Sequence, residues 1–328
     1  MVALFGPTSS GKTRLSIELG LRIKERLGVE PVVISADSRQ VYRYMDIGTS
    51  KTTPAEMRGI RHELIDVAEP IRKLELETYV AQAREHIDAS LHAGQLPLIV
   101  GGTGVYVASL LQGWDVEGTA SIRALLRREF PRGMAPEAHR LLRRIDRAAA
   151  GRVHPRNYEA VINALASIMA GSGSGSARQG ATPSGWDCVM LGLDPGQRAL
   201  DARVARTFER QMQRGLMEEI DALNTRYRLD QEIRRRGKES QNQVFHTHGY
   251  REFFEVAAER GKPVHALTAA DLSEVRRRVL EHIQMYTRHQ RAWFRKLPQV
   301  QKFASVEQAY RAVTAALRSS STRSSIRL

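Results

Sequence analysis

Eight consecutive residues, Gly6-Pro7-Thr8-Ser9-Ser10-Gly11-Lys12-Thr13, carry the strongest chemical signal in the chain. They fit the pattern G-x-x-x-x-G-K-[ST] in full. Its glycines let backbone N–H groups turn toward phosphate oxygens, its lysine reaches the outer phosphates, and its hydroxyl can ligate Mg²⁺. Gly6, Thr8, Ser10, Gly11, Lys12 and Thr13 are therefore candidate diphosphate contacts, with Thr13 the candidate metal ligand. The pattern specifies a diphosphate or triphosphate and is silent on the reaction that follows.

An enzyme that hydrolyses ATP needs a second acid, normally at the end of another buried strand. The candidate strand at 96–100 ends Gly101-Gly102-Thr103-Gly104, with no acid. The glycines allow close backbone approach, and Thr103 offers a hydroxyl, which suits packing against a ligand. The acid follows the second strand instead, in Ser35-Ala36-Asp37-Ser38-Arg39-Gln40. Carboxyl ends of neighbouring strands in a parallel sheet share one crevice. Asp37 is thus expected near Lys12 and Thr103. It could hold Mg²⁺ through water, or take a proton from an incoming nucleophile.

The elements that position these residues read as alternating strands and helices over the first 115 residues. Strands are expected at 2–5, 32–35 and 96–100, and helices at 14–27, 78–93 and 104–111. Short apolar strands with helical crossovers mean an α/β fold on a parallel sheet. Residues 122–150 read as one arginine-rich helical segment, followed by a helix at 158–169 and a glycine/serine-rich loop at 171–185. A late strand is expected at 187–193. Helices follow at 200–223 and 272–297, the second carrying the stripe Leu272, Val275, Val279, Ile283, Tyr286, Gln290, Trp293, Leu297. The expected organisation is a catalytic core at 1–115 plus 186–300, a helical insertion at 116–185, and a partly disordered tail at 301–328.

Composition narrows the partners. Lys+Arg 50 against Asp+Glu 36 gives +14, and only eight of the basic residues are lysine. Arginine favours bidentate phosphate contacts and stacking on flat groups, so a polyanionic partner is indicated. The single cysteine, Cys188, excludes a disulfide framework and a cysteine-based zinc site. The longest apolar runs are strand-sized, so no membrane span is expected. With residues 2–5 already a strand, no leader is expected either. A reducing, cytoplasmic setting follows.

Several blocks together resemble the tRNA dimethylallyltransferases (tRNA isopentenyltransferases). They are GPTSSGKT (6–13), ISADSRQVYRYMDIGTSK (34–51), HELID (62–66), LPLIVGGTGVYVASLLQG (96–113), HGYREF (248–253) and QMYTRHQRAWFRK (284–296). The resemblance implies a P-loop NTPase-like parallel sheet flanked by helices, with a helical insertion domain that embraces a tRNA anticodon stem-loop. It implies transfer of a dimethylallyl group from dimethylallyl diphosphate to N6 of adenosine 37, in tRNAs reading codons that begin with U. The target base would be flipped into a channel that meets the donor from the other side, in a monomeric enzyme that uses Mg²⁺. By position, Asp37 matches the general base and Thr103 the hydroxyl beside it. Ser38, Gln40, Asp46, Gly48, Thr49, Lys51, Gly101, Gly102, His248, Gln290, Trp293 and Arg295 fall in the acceptor and RNA-binding stretches.

The chain departs from the family pattern at three places. Asn163-Ala164-Leu165-Ala166 stands where an Arg-Ala-Leu-Glu run is usual. His246-Thr247-His248 precedes Gly249-Tyr250, where an uncharged pair is usual. Gln284 replaces an arginine. Arg288, or Arg291, is the expected substitute contact to the diphosphate. Two other functions fit parts of the pattern: prenylation of a free adenine nucleotide, and RNA binding by a catalytically weakened homologue.

Overall fold

The computed structural model describes residues 1–111, 123, 126–169, 186–295, 301–303 and 305–324. Six strands form one parallel sheet: β1 (Val2–Phe5), β2 (Pro31–Ser35), β3 (Arg61–Glu63), β4 (Leu96–Gly101), β5 (Val189–Gly192) and β6 (Gln301–Lys302). Their order is β3-β2-β4-β1-β5-β6. β1 is central, with Val2 opposite both Leu98 and Val189. Every residue of β1, β2 and β4 is buried. That is why these strands read as continuous apolar runs rather than alternating ones.

The crossover helices are α1 (Lys12–Leu27), α2 (Pro54–Met57), α3 (Leu76–His92) and α4 (Gly104–Leu111). α1 begins directly at the phosphate loop, and Gly28 closes it in the left-handed conformation, donating its N–H to Lys24 O. The next described helices are α5 (Ala135–Ile145), α6 (Arg147–Gly151) and α7 (Tyr158–Met169). The single segment expected at 122–150 is broken at Asp146, whose extended backbone ends α5 and whose carboxylate caps α6. After β5 come α8 (Gln197–Gln213), α9 (Leu216–Tyr227), α10 (Leu229–Arg236), α11 (Arg251–Glu259), α12 (Ala269–Phe294) and α13 (Val306–Ser324). The segment expected as one helix at 200–223 is two, because Gly215 sits at φ 95° between α8 and α9.

The expected tail also changes. Gln301–Lys302 pairs with β5 as the outermost strand. α13 then packs on α1, with Ala309 and Val313 buried in the cluster that holds Leu19 and Ile23. The sequence shows a short helical pattern from about residue 304, and the serines and arginines that follow hide how far the helix continues.

The chain divides into two compact units. One comprises Met1–Glu75, Gln82–Val107 and Cys188–Leu328; the other comprises Leu76–Ala81 and Ala108–Asp187. In the first, one core under the sheet joins α1, α13 and the strands. A second core gathers Val41, Tyr42 and Met45 with Phe253, Phe254, Val275 and Val279. The second unit has its own core of Leu126, Leu142, Val161, Ile162 and Leu165.

Candidate active site

β1 delivers the chain into residues 6–13 at the carboxyl end of the sheet. The loop needs its glycines. Gly11 has φ 98°, and a Cβ at Gly6 would lie 2.3 Å from Leu193 O. Ser10 is buried, and its Oγ has no hydrogen-bond partner. Lys12 Nζ donates to Pro7 O at 2.8 Å, folding back over its own loop. Burial pulls the Lys12 pKa down to about 8, against the opposing charge of Asp37.

The carboxyl ends of β2 and β4 supply the neighbouring groups. Ala36 O lies where a Cβ on Gly101 would fall, 2.0 Å away, so only glycine lets the two strand ends meet. Thr103 N donates to Ala36 O, and the Thr103 hydroxyl accepts from Ser38 N at 2.9 Å. Asp37 Oδ1 accepts from Arg39 N at 2.9 Å, which closes a tight turn after β2. Gln290 of α12 then ties the loops together. Its Oε1 accepts from Thr8 N at 2.9 Å, and its Nε2 donates to Gly102 O at 2.7 Å. One turn earlier, Tyr286 faces the same cleft. Burial raises its pKa, as does the Asp37 charge, while Arg39 and hydrogen bonds to Gln290 and Thr103 oppose the rise.

Beside them a cleft of about 1420 Å³ opens inside the first unit; Gly6, Ser10, Ser38, Asp46, Gly102 and Thr103 are not among the residues that line it. Thr8, Lys12, Thr13, Asp37, Gln40, Gly48, Thr49, Lys51, Gly101, His248 and Gln290 line it. α8 contributes Arg203, Arg206 and Arg210 to the same wall, and Arg214 follows at its C-terminal end. Arg203 donates to Ser10 O at 2.7 Å, which holds its guanidinium against the phosphate loop.

Residues 42–51 form a rigid rim. Lys51 is buried, with its side chain 5% exposed, and donates to Tyr42 O, Asp46 Oδ1 and Asp66 Oδ1 at 2.8, 2.5 and 2.6 Å. Glu219 of α9 accepts from the N–H groups of Asp46, Ile47 and Gly48, and from the Tyr250 hydroxyl at 2.6 Å. Gln211 donates to Ile47 O, Gly48 O and Ser50 Oγ. Thr49 Oγ1 donates to Met45 O, and Gln40 Nε2 donates to Thr49 O. Gly48 leaves room for the Tyr250 ring, which would lie 2.4 Å from a Cβ.

Not every expected residue reaches the cleft. Arg288 is exposed and does not line it, because two residues along α12 from Tyr286 is close to the opposite helix face. Arg291 is held by Asp194 at 2.8 Å. Trp293 packs over Gly104, whose absent Cβ would lie 2.5 Å from the ring, and Arg295 is exposed outside the cleft. Sequence reasoning did not single out Arg203, Tyr286, Gln211 or Glu219. Only Tyr286 had a visible signal, as a polar-tipped member of the α12 stripe.

Arg128, Arg132, Arg140, Arg143, Arg144, Arg147, Arg152 and Arg156 are exposed on the second unit. The first three have carboxylate neighbours: Glu129, Glu159 and Glu137.

A parallel sheet, a phosphate loop at its carboxyl edge and a carboxylate after β2 define an α/β phosphate-loop protein without the second acid of a hydrolase on β4. The IPP transferase family model matches residues 40–297. A tRNA dimethylallyltransferase of Thermomicrobium roseum is 35% identical over 308 residues, covering 92% of this chain and 85% of that protein. One of Koribacter versatilis is 34% identical over 306 residues, covering 92% and 91%. The solved full-length tRNA isopentenylpyrophosphate transferase of Bacillus halodurans has a TM-score of 0.66 at 28% identity, covering 98% of both chains. The chain belongs to the IPP transferase family.

Proposed function

We propose that this chain transfers the dimethylallyl group of dimethylallyl diphosphate to the exocyclic N6 of adenosine 37, in tRNAs reading codons that begin with U, and releases diphosphate. The observation that carries this reading is the convergence of the phosphate loop, Asp37 and the Thr103 turn at one sheet edge, bordering one cleft.

Diphosphate leaves readily once its charge is neutralised, which is the task the phosphate loop and Lys12 would perform. Arg203 stands beside the same loop and adds a second cation. The departing group leaves an allyl centre able to carry positive charge. The adenine amine is a weak nucleophile, so orientation and proton removal matter. Asp37 accepts the N6 proton, with the Thr103–Ser38 and Arg39–Asp37 hydrogen bonds fixing the turn around its carboxylate.

The oxygen-rich surroundings fit a hard cation: Thr13 and Asp37 both line the cleft, and Ser10 Oγ is buried without a partner. Thr13, and Asp37 through water, would hold Mg²⁺, which supplies charge neutralisation on the diphosphate.

Exposed arginines of the second unit are suited to the phosphates of an anticodon stem-loop. Extruding a base costs a few kcal/mol, about, which such contacts must offset. No described helix is long and apolar enough to cross a membrane. The reading takes the enzyme as cytoplasmic and monomeric.

The test is incubation with labelled dimethylallyl diphosphate and, in separate reactions, total tRNA, AMP and ATP. Label is expected in tRNA, on adenosine 37. Label confined to AMP or ATP replaces this reading with prenylation of a free nucleotide. Binding of tRNA with no label in any acceptor replaces it with an RNA-binding role.

A further inference from the structure

The histidines that depart from the family pattern before Gly249 lead to a second polar cluster. Glu252, at the start of α11, has a fully buried side chain, 0% exposed. Its Oε2 accepts from Gly249 N at 2.8 Å. Its Oε1 faces two imidazoles, with His248 Nδ1 at 3.2 Å and His282 Nδ1 of α12 at 2.7 Å. The three ligand atoms lie within 4.8 Å of one another. The prenyl transfer described above gives Glu252 and His282 no task.

The protons in this cluster conflict. Arg251 Nη2 lies 3.0 Å from His282 Nδ1. A guanidinium only donates, so toward Arg251 that nitrogen must present a lone pair; toward the Glu252 carboxylate it must present a proton. One nitrogen cannot do both. With both Nδ1 atoms unprotonated, three lone pairs converge on one point, which is an arrangement a cation satisfies. The separation of 3.2 Å between His248 Nδ1 and Oε1 is close to the edge of a tetrahedron with metal–ligand bonds near 2.0 Å, about 3.3 Å, and His282 Nδ1, now at 2.7 Å, would draw back by about half an ångström to take a third corner. Two imidazoles and one carboxylate suit a borderline transition-metal ion rather than Mg²⁺. His248 also lines the cleft, which gives an ion a route in.

We propose that His248, Glu252 and His282 bind one divalent transition-metal ion of the zinc class, through His248 Nδ1, Glu252 Oε1 and His282 Nδ1, linking α11 to α12. The ion displaces the Arg251 guanidinium, whose Nη2 lies 3.0 Å from His282 Nδ1 and 3.6 Å from Glu252 Oε1. Arg251 keeps Glu255, whose Oε1 lies 3.4 Å from its Nε.

Calorimetric titration of the full, untagged, chelator-treated chain with ZnCl₂ near neutral pH tests this. One Zn²⁺ per chain is expected, weakened more than about tenfold by His248→Asn and by His282→Gln. Absence of uptake by the unaltered protein overturns the proposal, as does uptake that is undiminished in both variants. Should circular dichroism show that either variant is unfolded, Co²⁺ added to the unaltered protein decides. Intense visible bands of a tetrahedral ion support the site, and the weak spectrum of an octahedral ion overturns it.

Discussion

The phosphate loop at 6–13 and the rim at 42–51 border the same cleft, and they use polar groups in opposite ways. In the rim, the charged and amide groups satisfy one another: Lys51 is surrounded by three oxygens, and Glu219 collects three N–H groups and a hydroxyl. In the loop, Ser10 Oγ is buried without a partner and Lys12 is held below its ordinary pKa by burial. A segment whose polar groups are satisfied is a scaffold, and one with polar capacity held in reserve is prepared for a ligand. Residue type does not separate the two, because a lysine beside a cleft looks like a ligand contact in either.

Substitutions on each side can break or sharpen this contrast. The largest expected effect is on the reactive side. Asp37→Asn should lower the rate of transfer about 10²- to 10⁴-fold while donor affinity is kept, read by single-turnover kinetics beside donor binding. Near-normal turnover would remove Asp37 from its role as base. On the scaffold side, Glu219→Ala should destabilise the fold by about 2–4 kcal/mol in urea unfolding, since it strips several hydrogen bonds to a charged acceptor at once. If stability were unchanged and only turnover fell, the rim would belong with the ligand-binding groups.

Gln290→Ala lies between the two. It cuts the tie from Thr8 N to Gly102 O and should raise the donor KM about tenfold, a loss equal to one or two hydrogen bonds. The smallest effect is in pH. Lys12 falls from 10.5 to about 8 on folding, so between these values the unfolded chain binds more protons and stability of the ligand-free protein should rise with pH. Donor affinity should move the other way, steady below about pH 8 and falling above it as Lys12 loses its charge. Lys12→Met should remove both trends; persistence of either would show that another group titrates.

The sheet's central strands and the phosphate loop were legible because burial on both faces leaves an unbroken apolar run, and because few loops need glycines at that spacing. β3 was not legible: Arg61-His62-Glu63 is short, charged and at the sheet edge. β6 is two residues long and polar. Lys51 and Asp46 were expected as acceptor contacts from their position in a family block, whereas the buried ion pairing of Lys51 depends on Asp66, which no local pattern links to it. Arg203 was missed for the same reason, being one arginine among many on α8 until the fold brings it to Ser10 O. The Glu252 cluster was half legible, since His248 stood out and His282 did not.

The position of β1 at the centre of the sheet has a consequence for synthesis. Its two partners are made long after it: Leu98 pairs with Val2 on one side and Val189 on the other. At a ribosome adding about 5–20 residues per second, the first edge of β1 waits roughly 5–20 s for its neighbour and the second roughly 10–40 s. Through that interval an apolar strand carrying the phosphate loop has an open edge, which invites pairing with another nascent chain. Slow translation of the stretch before β5, or loss of a chaperone that shields the emerging β1, should therefore lower the yield of folded enzyme without touching a single residue of its active site.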